Sequence, residues 1–164
     1  MPDILVEFAE FESLAVSFLQ SGQSLRFRAR GESMHPFINN GDLVEVKPVP
    51  INSFRRGDIV FCRLTDSRLV IHRVIQVMPG SLITQGDSLL KSDGIIPAEN
   101  VLGRVVTIIQ KGKLVRLDSS WMKLLSFLWS AMAPLRLVLQ KIIERIKRLI
   151  RKQNLLDHGY SNKE

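Results

Sequence analysis

Three short segments of the sequence carry side chains able to do acyl-transfer chemistry. The first, Gly31-Glu32-Ser33-Met34-His35-Pro36, places a serine just after a glycine turn at the end of a strand-like run. A hydroxyl presented there stands on a tight, exposed backbone, and nearby amides, those of Gly31 and Ser33 first, can face an oxyanion. Pro36 suits the first turn of a short helical segment, which Asn39-Asn40-Gly41-Asp42 would end. The second segment, Leu69-Val70-Ile71-His72-Arg73-Val74, offers His72. A serine nucleophile needs a partner to take its proton near neutral pH, and imidazole titrates in that range. The third, running from Thr84 to Gly94, contains Asp87 and Asp93. One of these carboxylates could orient the imidazole and stabilise its charged form. Taken singly, each residue also has an ordinary explanation: a turn serine, a satisfied strand histidine, an Asp beside a turn glycine.

Bringing the three segments together requires a framework of short strands. Residues 25–29 alternate apolar and basic side chains, the period-two pattern of a half-exposed strand. The runs 43–47, 59–64, 69–77, 82–85, 101–110 and 114–117 also read as strands. Asn40-Gly41-Asp42, Arg56-Gly57-Asp58, Pro79-Gly80, Gly86-Asp87 and Lys111-Gly112 between them are turn chemistry. Arg56-Gly57-Asp58 also spells a cell-adhesion tripeptide, but it sits where a turn must feed the next strand. This pattern predicts a mainly β domain with a coiled or barrel-like sheet. Residues 4–20 read as an amphipathic helix ahead of it, closed by Ser21-Gly22. Glu7, Glu10 and Glu12 interrupt that stretch and no basic region precedes it, unlike a secretory signal.

A chain of 164 residues, 45% hydrophobic and 24% charged, has room for one domain with an apolar core plus a modest extension. The net charge of +7 is unevenly placed: 12 Lys/Arg and 4 Asp/Glu lie from residue 111 onward, against 11 and 12 before it. A near-neutral domain therefore carries a basic tail, suited on charge alone to acidic lipid or nucleic acid. The organisation expected is a catalytic domain over 1–118, an amphipathic helical extension over 119–152, and a polar, frayed end over 153–164. Cys62, the only cysteine, excludes an internal disulfide and is expected as a buried, inert thiol. His35, His72 and His158 lack metal-ligand spacing, so neither metal nor cofactor is expected.

Order and combination give these segments more weight than each has alone. Gly-x-Ser-Met-x-Pro, Gly41-Asp42, Gly57-Asp58-Ile59-Val60, His72-Arg73-Val74, Gly86-Asp87, Asp93 and Gly103-Arg104-Val105 follow one another over residues 25–107. The run resembles the signal peptidase I superfamily, specifically its archaeal and endoplasmic-reticulum-type branch. Bacterial-type signal peptidases and LexA-type self-cleaving repressors have lysine where this chain has His72. The resemblance implies a Ser-His mechanism in which Ser33 attacks and His72 is the base. It implies that Asp93 is the third member, with Asp87 supporting or alternative to it. Ser88 stands where the family has the Asn of Gly-Asp-Asn, and His35 falls at a variable position. A polypeptide substrate bound as an extended strand is implied too.

These peptidases usually carry a membrane anchor before the serine motif, where this chain has an acidic amphipathic segment. Three arrangements of the tail compete: a span over 122–140, an in-plane amphipathic pair, or a helix packed on the β domain or a second subunit. The in-plane form fits best, with Trp121 and Trp129 at the interface and Lys141, Arg145 and Arg148 toward acidic head groups. A peripheral membrane enzyme acting on a precursor or secreted protein is therefore expected. The alternatives are a catalytically silent binding module on the same fold and, further off, a LexA-like self-cleaving regulator. The lack of aromatic interleaving in 141–152 argues against nucleic acid.

Overall fold

A computed structural model of the chain describes residues 8–117. They form one α-helix, α1 (Phe8–Gln20), two single-turn 3-10 helices (Ile51–Ser53 and Ala98–Asn100), and eight strands: β1 (Leu25–Arg28), β2 (Leu43–Lys47), β3 (Ile59–Arg63), β4 (Leu69–Met78), β5 (Ser81–Gln85), β6 (Ile95–Pro97), β7 (Val101–Gln110) and β8 (Lys113–Arg116). Every pairing is antiparallel, in the order β1-β2-β7-β3-β4-β5-β6, with β8 added to β7. The fold is thus mainly antiparallel β with an N-terminal helix. Strand β6 was not expected. It is three residues long and ends in Pro97, too short to show a period, yet it pairs with β5 and buries Ile96.

The centre of the sheet is β3, Ile-Val-Phe-Cys-Arg, whose first four residues are all buried. Successive strand side chains point to opposite faces, so an unbroken apolar run needs a core on each side. Ile59 and Phe61 join one cluster with Ala15 and Leu19 of α1, Met34 and Ile38 of the β1–β2 loop, and Val44, Val46, Val105 and Ile108. Val60 and Cys62 join the other, with Phe54, Leu64, Val74, Leu82 and Ile96. Helix α1 docks through Ala15 and Leu19, and Glu12 reaches Arg63 of β3 at 2.9 Å.

The alternation carries across to β4, where His72 lies opposite Val60 and Arg73 opposite Ile59. His72 therefore shares the face of the second cluster and Arg73 that of the first. Both are buried, at 3% and 1% exposure, so each needs internal partners.

The domain boundary near 118, the extension over 119–152 with Trp121, Trp129, Lys141, Arg145 and Arg148, and the end over 153–164 lie outside the described residues. Among the described residues no helix is long and apolar enough to cross a membrane.

Candidate active site

Ser33 sits in the loop joining β1 to β2, which is tied at its base and along its length. Ala29 and Asp42 continue the hairpin: the Ala29 N–H donates to the Asp42 carbonyl and the Gly41 N–H to the Ala29 carbonyl, both at 2.8 Å. Gly31 has φ +90°, where a side chain would strain the turn. Its N–H donates to Asn40 Oδ1 at 3.1 Å. Of the two amides expected to face an oxyanion, Gly31 is therefore engaged in closing the loop, whereas the Ser33 N–H donates to no group among the described residues. The helical segment expected from Pro36 is a set of turns instead. The Phe37 and Ile38 amides both donate to the Met34 carbonyl, so no ladder propagates. Met34 and Ile38 are buried, and Gln110 of β7 donates to the Phe37 carbonyl at 2.7 Å, fixing the far limb.

This loop lays the serine beside β4. Ser33 Oγ is 3.1 Å from His72 Nε2, and His72 Nδ1 is 2.7 Å from Asp93 Oδ2. A carboxylate only accepts, so Nδ1 carries the proton and Nε2 of the neutral ring is left to accept from the serine hydroxyl. The His72 and Asp93 side chains are 4% and 8% exposed, a setting in which these contacts are little screened by water. Asp93 follows β5 in a loop that folds back over it. Its N–H donates to the Thr84 carbonyl at 2.8 Å, and the Thr84 hydroxyl donates to Asp93 Oδ2 at 2.7 Å. The acceptor is thus held from two directions.

Asp87, the alternative partner for the imidazole, is committed elsewhere. Arg73 Nε and Nη2 donate to its two carboxylate oxygens at 2.8 and 2.6 Å, and Nη1 donates to the Gly57 carbonyl at 2.9 Å. The same guanidinium lies 4.6 Å from the centroid of Phe37, on the nucleophile loop. Asp93 is the carboxylate within hydrogen-bond distance of His72.

Four residues of this arrangement carried no chemical signal in the sequence. Thr84 and Arg73 read as strand positions, and Gly86 as a turn. A Cβ on Gly86 would lie 2.7 Å from the Ser33 carbonyl oxygen, so the residue is glycine because the nucleophile loop rests on it. Ser88, read as a departure from the family pattern, donates its N–H to the Ser33 carbonyl at 2.9 Å and its hydroxyl to the Glu32 carbonyl at 2.8 Å. His35 is exposed and faces Asn39 at 3.0 Å, away from this chemistry.

Cys62 lies behind the site, fully buried. Burial, and then the negative charge of Asp93, push its thiol up to about 12 against the opposing effect of a Thr84 hydrogen bond. It stays protonated and is no nucleophile. No group of three or more His, Cys, Asp or Glu among the described residues is placed to hold a metal ion. One flank of Asp93 opens on a cleft of about 560 Å³, bordered by Leu64, Arg68, Ser88, Leu89 and Lys91.

Comparison with protein families matches residues 5–95 to the family described as Peptidase S24-like. The match covers more than half of the 164 residues and includes Ser33, His72, Asp87 and Asp93. A search of curated proteins returned no match.

Proposed function

The chain belongs to the S24-like peptidase family, in the clan of LexA-type and signal peptidases, and carries a serine peptidase domain of that type; we propose that it is an endopeptidase resembling signal peptidase I. The reading is that it cuts a precursor polypeptide at or near a membrane by Ser-His-Asp catalysis. One observation carries it: the unbroken chain of contacts from Ser33 Oγ to His72 Nε2 at 3.1 Å and from His72 Nδ1 to Asp93 at 2.7 Å.

In this mechanism His72 Nε2 takes the hydroxyl proton as Ser33 Oγ attacks the scissile carbonyl carbon. The imidazolium formed is stabilised by the Asp93 carboxylate, and the oxyanion faces the Ser33 N–H. His72 then gives its proton to the leaving amine as the C–N bond breaks. Water, deprotonated by the same imidazole, releases the acyl group and restores the serine. The His72–Asp93 pair supports the His-dependent branch over the lysine-dependent repressors, because the imidazole meets the carboxylate through one ring nitrogen and the serine hydroxyl through the other.

The test is to incubate the intact chain with a proteome-derived peptide library and identify new N-termini by mass spectrometry. Cleavage is expected, and Ser33→Ala and His72→Ala should each remove it. Full cleavage by either variant refutes the mechanism.

The membrane part of the reading rests on the sequence of 121–152. The intact chain should float with vesicles containing acidic lipid and a chain stopped at Asp118 should not; equal flotation removes this part alone.

A further inference from the structure

The contacts of Ser88 bear on the two peptide groups that flank the nucleophile. A trans peptide is planar, with its C=O and N–H directed to opposite sides, so fixing a carbonyl also aims the amide in the same plane. The plane before Ser33 contains the Glu32 carbonyl and the Ser33 N–H. The plane after it contains the Ser33 carbonyl and the Met34 N–H. Ser88 reaches both: its hydroxyl donates to the Glu32 carbonyl at 2.8 Å and its N–H to the Ser33 carbonyl at 2.9 Å. The first carbonyl also accepts from the His35 N–H at 3.1 Å, within the loop's own turn. Gly86 permits the approach, since a Cβ there would lie 2.7 Å from the Ser33 oxygen.

We propose that Ser88 is a positioning residue that sets the orientation of the two peptide planes around Ser33, and with them the amides presented to the oxyanion. The proposal deepens the peptidase reading and rests on it for its catalytic part. Ser88 touches no reacting atom. Its hydroxyl joins the loop after β5, which also carries Asp93, to the loop that carries Ser33. One contact thus keeps the oxyanion donor and the base's orienting partner in register. An amide aimed in advance stabilises charge as it develops and needs no reorganisation at that moment. The serine at position 88 is therefore a working substitute for the family's Asn rather than a mark of lost turnover.

The test uses the intact chain and two readouts. In NMR spectra of the uniformly labelled protein, Ser88→Ala should shift the Ser33 and Met34 amide signals. It should also speed hydrogen exchange at the residue-88 amide by about tenfold, the worth of one hydrogen bond. Ser88→Thr, which keeps the hydroxyl, should restore both, and Ser92→Ala on the same loop should change neither. In peptide cleavage, Ser88→Ala should lower kcat by about tenfold with KM within about twofold, because the contact acts on the transition state rather than on ground-state binding. Ser88→Thr should recover most of that loss. Unmoved Ser33 and Met34 signals in Ser88→Ala overturn the proposal whatever the activity, and so does an unchanged kcat in an active enzyme. A wild-type chain that cleaves nothing while the amides respond as stated refutes the peptidase reading and supports the orienting contact.

Discussion

The pair Arg73–Asp87 offers the sharpest test of how the site is held. Both side chains are essentially dry, at 1% and 2% exposure, and joined by two parallel bonds of 2.8 and 2.6 Å. Asp87→Asn keeps the shape but leaves a buried guanidinium facing a neutral amide. Removing one partner of a buried ion pair costs about 3–5 kcal/mol. An Asn oxygen still accepts one bond, which places the expected loss near the lower end, about 3 kcal/mol. For a chain of this size that corresponds to a melting temperature lower by roughly 6–12 °C. Arg73→Met combined with Asp87→Leu removes both charges and should be more stable than Asp87→Asn alone, although it gives up the Gly57 bond and the Phe37 contact. Urea unfolding followed by far-ultraviolet circular dichroism measures Asp87→Asn, the singles Arg73→Met and Asp87→Leu, and their double variant. An Asp87→Asn loss below about 1 kcal/mol, or a double variant no better than the sum of the singles, would refute the reasoning.

Other consequences can be measured separately. Gly86→Ala should push back the Ser33 carbonyl, which would meet the new methyl at 2.7 Å, and lower cleavage by about 10²-fold, as expected for a misplacement near 1 Å; activity within twofold of wild type would show that the loop yields freely. Asp93→Asn should reduce cleavage by about 10³–10⁴-fold with a far smaller effect on stability than Asp87→Asn, reversing the roles of the two carboxylates; the peptide-library assay and the unfolding curves together decide. Cys62, whose thiol is pushed up to about 12, should ignore Ellman's reagent at pH 8 in the folded chain and react fully in guanidinium. Rapid labelling of the native protein would contradict its burial.

The sequence carried the strands better than the contacts between loops. The runs 43–47 and 101–110 occur in the structure at those bounds, because alternation and flanking turn residues leave little freedom in placing them. Strand β6 escaped notice, being stabilised by one buried side chain and its pairing with β5 rather than by a pattern of its own. His72 was legible as a strand residue, and the order of motifs singled it out. The resemblance put Asp93 ahead of Asp87, but the residues by themselves left that choice open. It depends on which side of β4 each carboxylate meets, and that follows from the fold of the loop after β5, a stretch with no period to read. Ser88 and Thr84 stayed hidden for a related reason: a hydroxyl bonded to a carbonyl or carboxylate from a distant segment leaves no local trace.

The two neighbours His72 and Arg73 show why the site needs strand geometry. Consecutive residues of β4 point to opposite faces, so a reacting group and a fixing group can be adjacent in sequence without competing for space. On one face the imidazole meets Ser33 and Asp93. On the other the guanidinium holds Asp87, the residue just before Ser88, and lies over Phe37 of the nucleophile loop. Both loops are therefore anchored to the same strand from behind while they meet in front of it. Moving β4 by a single residue would exchange the two faces and place a cation that never loses its proton where the base must stand. The His-Arg order is thus a structural requirement of the proposed chemistry. The double variant His72→Arg with Arg73→His, of the same composition and charge, should fold poorly by circular dichroism and cleave nothing in the peptide-library assay; a folded, active exchange variant would show that the two faces are interchangeable.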